Sequence, residues 1–451
     1  MILRESAILF FLSVPLLAQT DTPPVEPIEP AQTEYGGPAI LSRGGTSSLL
    51  APSRNIRFRP FLSLTAAYDT GLTPVSLRRD GQVPNDASIG GDAEIGLLGF
   101  HKGKTVKVGI DYRGSYHHYS KNTYYNGTEQ LLSLAFTKQA TRRTSFTLRE
   151  SAGIATRNSF GFIGNQIIDP NFSNVPNNEL FDGRTLYLNT MGDMTYQKSA
   201  RLSLNAGADG FLIRRRSSAL YGVTGYRIRG DAAYRTSRSA TSGVAYDFTH
   251  FEFTKGFGAS DIHTVQLIQS YRIGRYWELA MKAGGSRVET LGLTRVTIDP
   301  VIAAIVGRTT AIEVAYRINW VPNVSLILTR SFRHSSLSFN YDRGVTPGNG
   351  VFLTSRQESA TANYSYTGIR RLNLGIQGGY SSIGSLTQTI GDYRGFTGGG
   401  GLTYNLTKAL HFVIRYDYRH YEVAQSTFLR DSYRASMGFS FSPGDVPLAL
   451  W

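Results

Sequence analysis

The chain has 451 residues and no cysteine, and its 47 Lys and Arg against 33 Asp and Glu give a formal net charge of +14. The absence of cysteine excludes a disulfide-stapled scaffold and a cysteine-ligated metal site. A helical membrane protein needs stretches of about 18 or more apolar residues, and none occurs beyond the N-terminal segment.

The first two segments are expected to lie outside the folded body. Residues 1–18 contain Arg4 and then an apolar run, a pattern typical of a secretory signal peptide cleaved before Gln19, with an interfacial N-terminal helix as the alternative. Residues 19–55 combine clustered proline and acidic residues with a Gly/Ser stretch, which predicts a flexible periplasmic tail. This tail is too short to form a globular plug.

From residue 56 onward, large apolar side chains alternate with small or charged ones. Near the end of the chain, Tyr433 and Met437 alternate with Arg434 and Ser436. Period two is the signature of β-strands, because successive side chains leave a pleated backbone on opposite faces. The alternation therefore predicts strands that have one apolar face and one wet face.

The alternating segments predict an all-β fold of about eighteen strands, with roughly sixteen as the lower bound. The predicted strands lie near 56–68, 88–99, 105–119, 128–138, 143–157, 184–197, 201–215, 222–236, 240–253, 260–273, 276–290, 309–320, 323–335, 356–367, 371–384, 394–406, 410–423 and 430–442. Tight turns are predicted at 101–104, 198–200, 237–239, 321–323 and 407–409, and long connections at 69–87, 158–183, 291–308 and 336–355. Alternating short and long connections are typical of a transmembrane, antiparallel up-and-down β-barrel, here over 56–442 with a C-terminal tail at 443–451.

Aromatic residues cluster near the ends of predicted strands. Tyr416 and Tyr418 are one example, and Trp277 and Trp320 are expected beside tight turns. Amphipathic rings prefer the membrane interface, so the clusters predict two girdles, although aromatic residues also favour strands in general. A secreted sandwich or propeller would show a repeat of fixed length, and none is visible.

The last strand resembles the C-terminal strand of outer-membrane β-barrel proteins of Gram-negative bacteria. Tyr433, Met437, Phe439 and Phe441 match the alternating signal that the barrel-assembly machinery recognises in that family, although SPGDVPLALW follows here, whereas the signal usually closes the chain. Residues 56–451 are also similar to β-barrel porin families, some of which occur with exopolysaccharide export systems. The resemblance implies location in the bacterial outer membrane, with its lipid, its lipopolysaccharide and the assembly machinery as partners.

The polar face of the predicted strands carries more bases than acids. An Arg or Lys side chain facing hydrocarbon would cost roughly 2–4 kcal/mol near the midplane of the membrane. Because the Arg and Lys residues lie on the face opposite the large apolar residues, that face is predicted to line an aqueous lumen. The bases predicted to line the pore are Lys107, Arg113, Arg149, Arg227, Arg229, Arg235, Arg272, Lys282, Arg317, Arg415, Arg419 and Arg434. The acids on the same face are Asp111, Asp209, Asp231, Asp247, Glu278, Glu313 and Asp417. The excess of bases would favour anions, and the alternative is that acids and bases pair across strands and stiffen the wall.

The longest predicted loop, residues 158–183, combines apolar side chains with the acids Asp169, Glu179 and Asp182. Its apolar residues would be poorly placed on an exposed tip. The loop is therefore predicted to fold inward and narrow the pore, as the loop after the fifth strand does in the diffusion porins that the chain resembles. An ordinary surface loop is the alternative.

Other chemistries have little support in the sequence. His334 and Ser335 are adjacent and point to opposite faces of a strand, as do His117 and His118, so neither pair predicts a hydrolase or a metal site. The run 398–401 lacks the Lys-Ser or Lys-Thr of a phosphate loop, and no nucleic-acid-binding module is visible. No enzyme activity, cofactor or nucleic-acid partner is predicted.

The sequence thus predicts a porin for the passive diffusion of hydrophilic solutes, anions among them, or for the export of an anionic polysaccharide. The alternative is a structural or adhesive barrel with an occluded lumen. The oligomeric state is not predicted.

Overall fold

A computed structural model of the protein describes residues 58–71, 87–121, 125–155, 183–297, 309–387, 391–424 and 429–443. The predicted signal peptide, the tail at 19–55 and all but the first residue of the C-terminal tail lie outside these ranges. The strands are β1 (Phe58–Asp69), β2 (Ser88–Lys102), β3 (Val106–Tyr119), β4 (Gly127–Gln139), β5 (Thr144–Ala155), β6 (Thr185–Gln197), β7 (Leu202–Arg215), β8 (Gly222–Arg235), β9 (Ala240–Thr254), β10 (Ala259–Ile273), β11 (Trp277–Thr297), β12 (Thr310–Ser331), β13 (Ser335–Thr346), β14 (Ser355–Ile369), β15 (Leu372–Ser385), β16 (Tyr393–Asn405), β17 (Leu410–Val423) and β18 (Leu429–Phe441). Among the described residues, no helix is long and apolar enough to cross a membrane.

These strands form one closed, antiparallel, 18-stranded sheet. Each strand pairs with its neighbours in sequence, and β1 closes the barrel by pairing with both β2 and β18. At the closing seam, Leu64 lies opposite Phe439 and Ala66 lies opposite Met437. The predicted fold class, an up-and-down barrel of about eighteen strands, is confirmed.

Several tight turns at one end of the barrel each contain a serine or threonine whose hydroxyl group stabilises the turn. The hydroxyl of Thr407 accepts hydrogen bonds from the backbone N–H groups of Ala409 at 3.2 Å and Leu410 at 2.9 Å. Thr141 and Ser199 accept equivalent pairs in the β4–β5 and β6–β7 turns. Serine and threonine in this position mimic a backbone turn, so the local sequence sets both the reversal and the register of these hairpins.

The predicted turn at 321–323 is wrong, because these residues lie inside β12. Pro322 pairs with Gly285 of β11, but the ladder between β12 and β13 begins only at Val324. Proline cannot donate to a ladder and is tolerated where one side of a strand has no partner. Pro322 therefore marks the place where β12 parts from β13, not a turn.

The predicted long loop at 336–355 is also wrong, since β13 (Ser335–Thr346) occupies most of it. The sequence analysis divides β12 into two strands and assigns β13 to a loop. These two errors cancel, so the predicted number of strands is still eighteen. Trp320, expected beside a tight turn, instead lies within β12 opposite Arg287, with 74% of its surface exposed.

The outward face of the barrel is apolar and exposed. The apolar positions of β18 are typical, since Met437 is 59% and Phe439 is 51% exposed. At the rim that carries the tight turns, the guanidinium of Arg330 stacks on the rings of Trp277 at 4.7 Å and Phe332 at 4.1 Å. Such cation–π pairs suit a membrane interface, where one end of the aromatic side chain meets water.

Candidate functional site

The loop between β13 and β14, residues 347–354, folds into the barrel and is called the inner loop. Phe352 is only 1% exposed and packs against Ile383, Tyr393 and Tyr421, which lie on the inward faces of β15, β16 and β17. On its other side, Leu353 packs against apolar inward residues of β7 to β12. This second cluster consists of Phe211, Val223, Phe251, Phe253, Ile262, Val288 and Val321. The inner loop thus reaches two separate parts of the wall.

Hydrogen bonds hold the inner loop against the wall on the side of β8 and β10. The backbone N–H of Tyr221 donates to the carbonyl of Gly350 at 3.1 Å. The hydroxyl groups of Thr354 and Ser260, the latter on β10, lie 2.6 Å apart and both residues are buried. Buried polar groups are costly without a partner, so these bonds favour the docked position of the loop.

The sequence PGNGVFL gives the inner loop its shape. Gly348 and Gly350 have φ angles of 81° and 89°, a region that residues with a Cβ rarely adopt. Between them, the buried Asn349 side chain accepts hydrogen bonds from the N–H groups of Val351 at 3.3 Å and Phe352 at 3.0 Å. The turn therefore presents Phe352 toward its apolar socket.

Inward folding was predicted for a different loop. Residues 158–183 with Asp169, Glu179 and Asp182 lie outside the described residues, except for Gly183, so their part in a constriction stays a prediction. Among the described connections, residues 347–354 enter the barrel, and Leu386 after β15 packs against the same cluster as Leu353.

The bases predicted to line the pore lie on the inward faces of their strands. These are Lys107, Arg113, Arg149, Arg227, Arg229, Arg235, Arg272, Lys282, Arg317, Arg415, Arg419 and Arg434. At least six of them form ion pairs with inward acids: Arg113, Arg227, Arg229, Arg272, Arg415 and Arg434. Arg113 and Arg415 pair with an acid two residues away on their own strand, and the other four bases pair across strands, as the alternative to a simple basic wall predicts.

One ion-pair network joins β6, β7 and β8. Arg229 donates to Asp209 at 2.8 Å and to Asp193 at 2.7 Å, and Arg227 donates to Asp209 at 2.9 Å. Arg229 reaches Asp193 across an intervening strand because Gly207 has no side chain there; a Cβ at Gly207 would meet both partners. The two carboxylates and Arg229 are almost fully buried. The network fixes three neighbouring strands to one another.

A second network joins β2, β3, β4 and β18. Asp92 forms an ion pair with Arg434 and accepts a hydrogen bond from Nδ1 of His117 at 2.6 Å. The Nε2 atom of the same imidazole lies 3.3 Å from a carboxylate oxygen of Glu129. Because both ring nitrogens face carboxylates, the doubly protonated imidazolium satisfies this site best.

In the second network, a serine, a histidine and an aspartate lie as close together as in the catalytic triad of a hydrolase, but the neighbouring Glu129 disfavours hydrolysis. Ser115 Oγ lies 3.1 Å from His117 Nε2, and Asp92 holds Nδ1. A general base needs a free lone pair on Nε2, but here the Glu129 carboxylate 3.3 Å away favours a proton on Nε2. No cluster of three or more metal-ligating side chains occurs among the described residues.

The acids of both networks were only partly found from the sequence. Asp92, Glu129 and Asp193 were missed, although each has the inward parity of its strand. Asp92 lies in the glycine-rich stretch GGDAEIG, where small residues on both faces obscure the alternation. With these acids included, the inward charge is closer to balance than the sequence analysis expects.

The inner wall is unevenly accessible to water. Inward polar residues of β5 to β10 are buried, including Arg149, Ser151, Asn189, Ser203, Asn205, Thr241, Thr264, Gln266 and Ser270. Inward polar residues of β14 to β16 are partly exposed, namely Gln357, Ser359, Thr361, Asn363, Ser365, Asn373, Gln377, Ser381, Thr397 and Thr403. Inward residues of β13, β17 and β18, such as Asn340, Asp417 and Arg434, are partly exposed as well, so water reaches the lumen on a side that includes β14 to β16.

A closed barrel with an apolar outer face, an aromatic cluster at one rim and a polar interior defines a transmembrane β-barrel of the bacterial outer membrane. The chain is such an outer-membrane protein. Tyr433, Met437, Phe439 and Phe441 all face outward on β18, as the assembly signal requires, and recognition by the assembly machinery stays a prediction.

Comparisons with solved structures find other barrels of this kind. OccK5 (OpdH) from Pseudomonas aeruginosa shares 14% identity over 86% of this chain and 98% of its own, with a TM-score of 0.39. OccK2 (OpdF) from the same organism, in complex with glucuronate, shares 14% over 86% and 100%, with a TM-score of 0.42. A BenF-like porin from Pseudomonas fluorescens shares 13% over 85% and 98%, with a TM-score of 0.41. Those names describe the neighbours and not this chain.

No protein-family model matches the chain, and no curated protein matches it either.

Proposed function

We propose that the protein is a passive channel for small hydrophilic solutes, narrowed by the inner loop. The observation that carries the proposal is the uneven wall, because the polar inward residues of β14 to β16 are partly exposed while the inner face of β5 to β10 is buried. A barrel lined by solvated hydroxyl and amide groups offers a path on which polar solutes keep hydrogen-bond partners.

The inner loop supports a solute of limited size. It lies between the Phe352 socket and the Leu353 cluster, which belong to different parts of the wall. A loop fixed at both sides restricts the cross-section without any moving part. Export of an anionic polysaccharide, the larger cargo expected from the sequence, would require the loop to leave both sockets, so small solutes are the favoured cargo.

A mild anion preference is the finer part of the proposal. The formal charge of +14 and the inward bases favour it, whereas pairing of Arg227, Arg229 and Arg415 with acids reduces the field in the lumen. A weak preference is therefore expected, and not the strong one that an unpaired basic wall would produce.

The test is current through purified, folded protein in a planar bilayer. Discrete conductance steps support the channel, and a reversal potential in a salt gradient reports the ion preference. Arg419→Glu should shift that potential toward cations. Absence of conductance from protein shown to be folded by its heat-dependent gel mobility would overturn the proposal.

A structural or adhesive barrel with an occluded lumen is the second candidate. The buried inner face of β5 to β10 favours it, because that side of the lumen is filled by protein. The same bilayer experiment separates the two, since an occluded barrel conducts neither ions nor solutes.

A further inference from the structure

The inward charges of the barrel leave one arc of the wall free of them. Every other strand carries at least one charged inward residue within the described ranges; Asp342 on β13 and Arg415 on β17 flank the arc. The described inward positions of β14, β15 and β16 carry only hydroxyl, amide, aromatic or aliphatic side chains and glycine. These three adjacent strands are called the uncharged arc.

One row of residues crosses the uncharged arc in register. Asn363 on β14 lies opposite Gln377 on β15, which lies opposite Gly399 on β16, which lies opposite Asp417 on β17. A Cβ at Gly399 would lie 2.9 Å from an Asp417 carboxylate oxygen and 3.4 Å from Gln377 Nε2. The two polar side chains therefore converge above a position that has no side chain of its own.

The chemistry of this row matches a particular class of solute. Each primary amide offers two donors and an acceptor, and a carboxylate offers acceptors only. Both oxygens of Asp417 lie near Arg415, at 2.6 and 2.9 Å, and each oxygen retains a second lone pair for a hydroxyl. An amide or carboxylate presents its hydrogen-bonding atoms side by side. Two hydroxyl groups on neighbouring carbon atoms do so as well, so the two kinds of group can form paired hydrogen bonds.

The distribution of charge in the lumen bears on whether the bound solute is charged or neutral. An anionic or cationic solute gains from the charged strands on either side, but a neutral one does not. A neutral polyhydroxylated solute needs many hydrogen-bond partners when it leaves water, and the uncharged arc offers them where water already reaches.

We propose that the uncharged arc, together with Asp417 on the adjoining strand β17, is a binding track for uncharged, polyhydroxylated solutes such as monosaccharides and disaccharides, held by Asn363, Gln377 and Asp417 over Gly399. This inference rests on the proposed function, because a solute reaches the track only through an open channel.

The experiment uses full-length folded protein in liposomes and planar bilayers. Swelling rates with glucose are compared with those for gluconate and glucosammonium, which have nearly the same size and opposite charges. Glucose should enter faster than either ion, and glucose added to one chamber should interrupt the ionic current in a concentration-dependent way.

Two nearly isosteric variants remove hydrogen bonds from the track, Gln377→Met and Asn363→Leu. Each should lower the ratio of glucose to salt permeability by about three- to ten-fold, the effect of losing one or two hydrogen bonds. The control is Gln269→Met, which removes the same amide from the outward face of β10 and should leave the ratio unchanged.

The outcomes separate this proposal from the channel itself. Absence of ionic current would overturn the proposed function. Ionic current with no interruption by glucose, or an unchanged ratio in both track variants, would overturn the carbohydrate track alone.

Discussion

The hydroxyl groups of Ser260 and Thr354 lie 2.6 Å apart although 94 residues separate them in the chain. This contact ties the end of the inner loop to β10, on the wall away from the loop's own strands. The loop is therefore a fixed part of the lumen, and its position can be manipulated without touching the barrel ladder.

A disulfide in place of this contact should lock the loop. The chain has no native cysteine, so Ser260→Cys with Thr354→Cys introduces a single pair of thiols. We expect the oxidised double variant to conduct like the native protein but with fewer current fluctuations, and the reduced form to fluctuate more because a buried hydrogen bond is lost. Recording one bilayer before and after a reducing agent makes the comparison internal. Oxidation that abolishes the current would contradict a docked loop in the conducting state.

Truncating the loop's anchor should have the opposite effect. Phe352→Ala empties a socket in which the ring is 1% exposed, a change that costs about 3–5 kcal/mol in packed interiors. The docked loop loses that stability while the strands keep theirs. We expect larger or noisier conductance and faster swelling with solutes that the native protein admits slowly. Phe257→Ala, which truncates an exposed ring in another loop, is the matched control.

Local sequence determines most of the barrel. Residues 410–423 were predicted as a strand and form β17 with the same bounds, because Thr407 sets the turn and the alternation that follows is unbroken. The segments 309–320 and 323–335, predicted as two strands, form the single strand β12, and local sequence does not show this continuity. The length of β12 depends on how far it extends past its partner β13, which is a property of the assembled sheet, and Pro322 in isolation is typical of a turn.

The lumen was harder to predict than the wall. The alternation of side chains along each strand correctly predicts that the bases lie on the inward face. It does not predict that Arg229 pairs with Asp193, which lies two strands away on β6. The two side chains meet because Gly207, on the strand between them, has no side chain. The inner loop carries a signal in the sequence, since Gly348, Asn349 and Gly350 precede three adjacent apolar residues. Its destination could not be inferred, because the sockets are built from strands far apart in sequence.

The β6–β8 network predicts a large loss of stability in Arg229→Ala. This change leaves the buried carboxylates of Asp193 and Asp209 with fewer partners, and breaking a buried ion pair costs about 3–5 kcal/mol. Urea unfolding in detergent, followed by the heat-dependent shift in gel mobility, measures the effect. Arg235→Ala, on the same strand and face, should change the free energy of unfolding by only about 0.5 kcal/mol. Equal losses in the two variants would mean that the network does not stabilise the barrel.

The closing seam predicts a position where no side chain is tolerated. Gly438 of β18 faces β1 so closely that a Cβ there would overlap the carbonyl of Leu64 and the Cα of Thr65. Both atoms belong to the backbone and cannot rotate away, so Gly438→Ala must separate the first and last strands locally.

Gly398→Ala is the matched control for the seam, because a Cβ at that position would have no neighbour within 4 Å. Overpacking of this kind typically costs about 1–3 kcal/mol, and here it acts on the β1–β18 pairing that closes the barrel. We therefore expect slower and less complete folding of Gly438→Ala into lipid vesicles, with a lower urea midpoint, while Gly398→Ala folds like the native chain. If both variants folded at the native rate, β1 and β18 could move apart enough to accommodate a methyl group at position 438, and the prediction would be wrong.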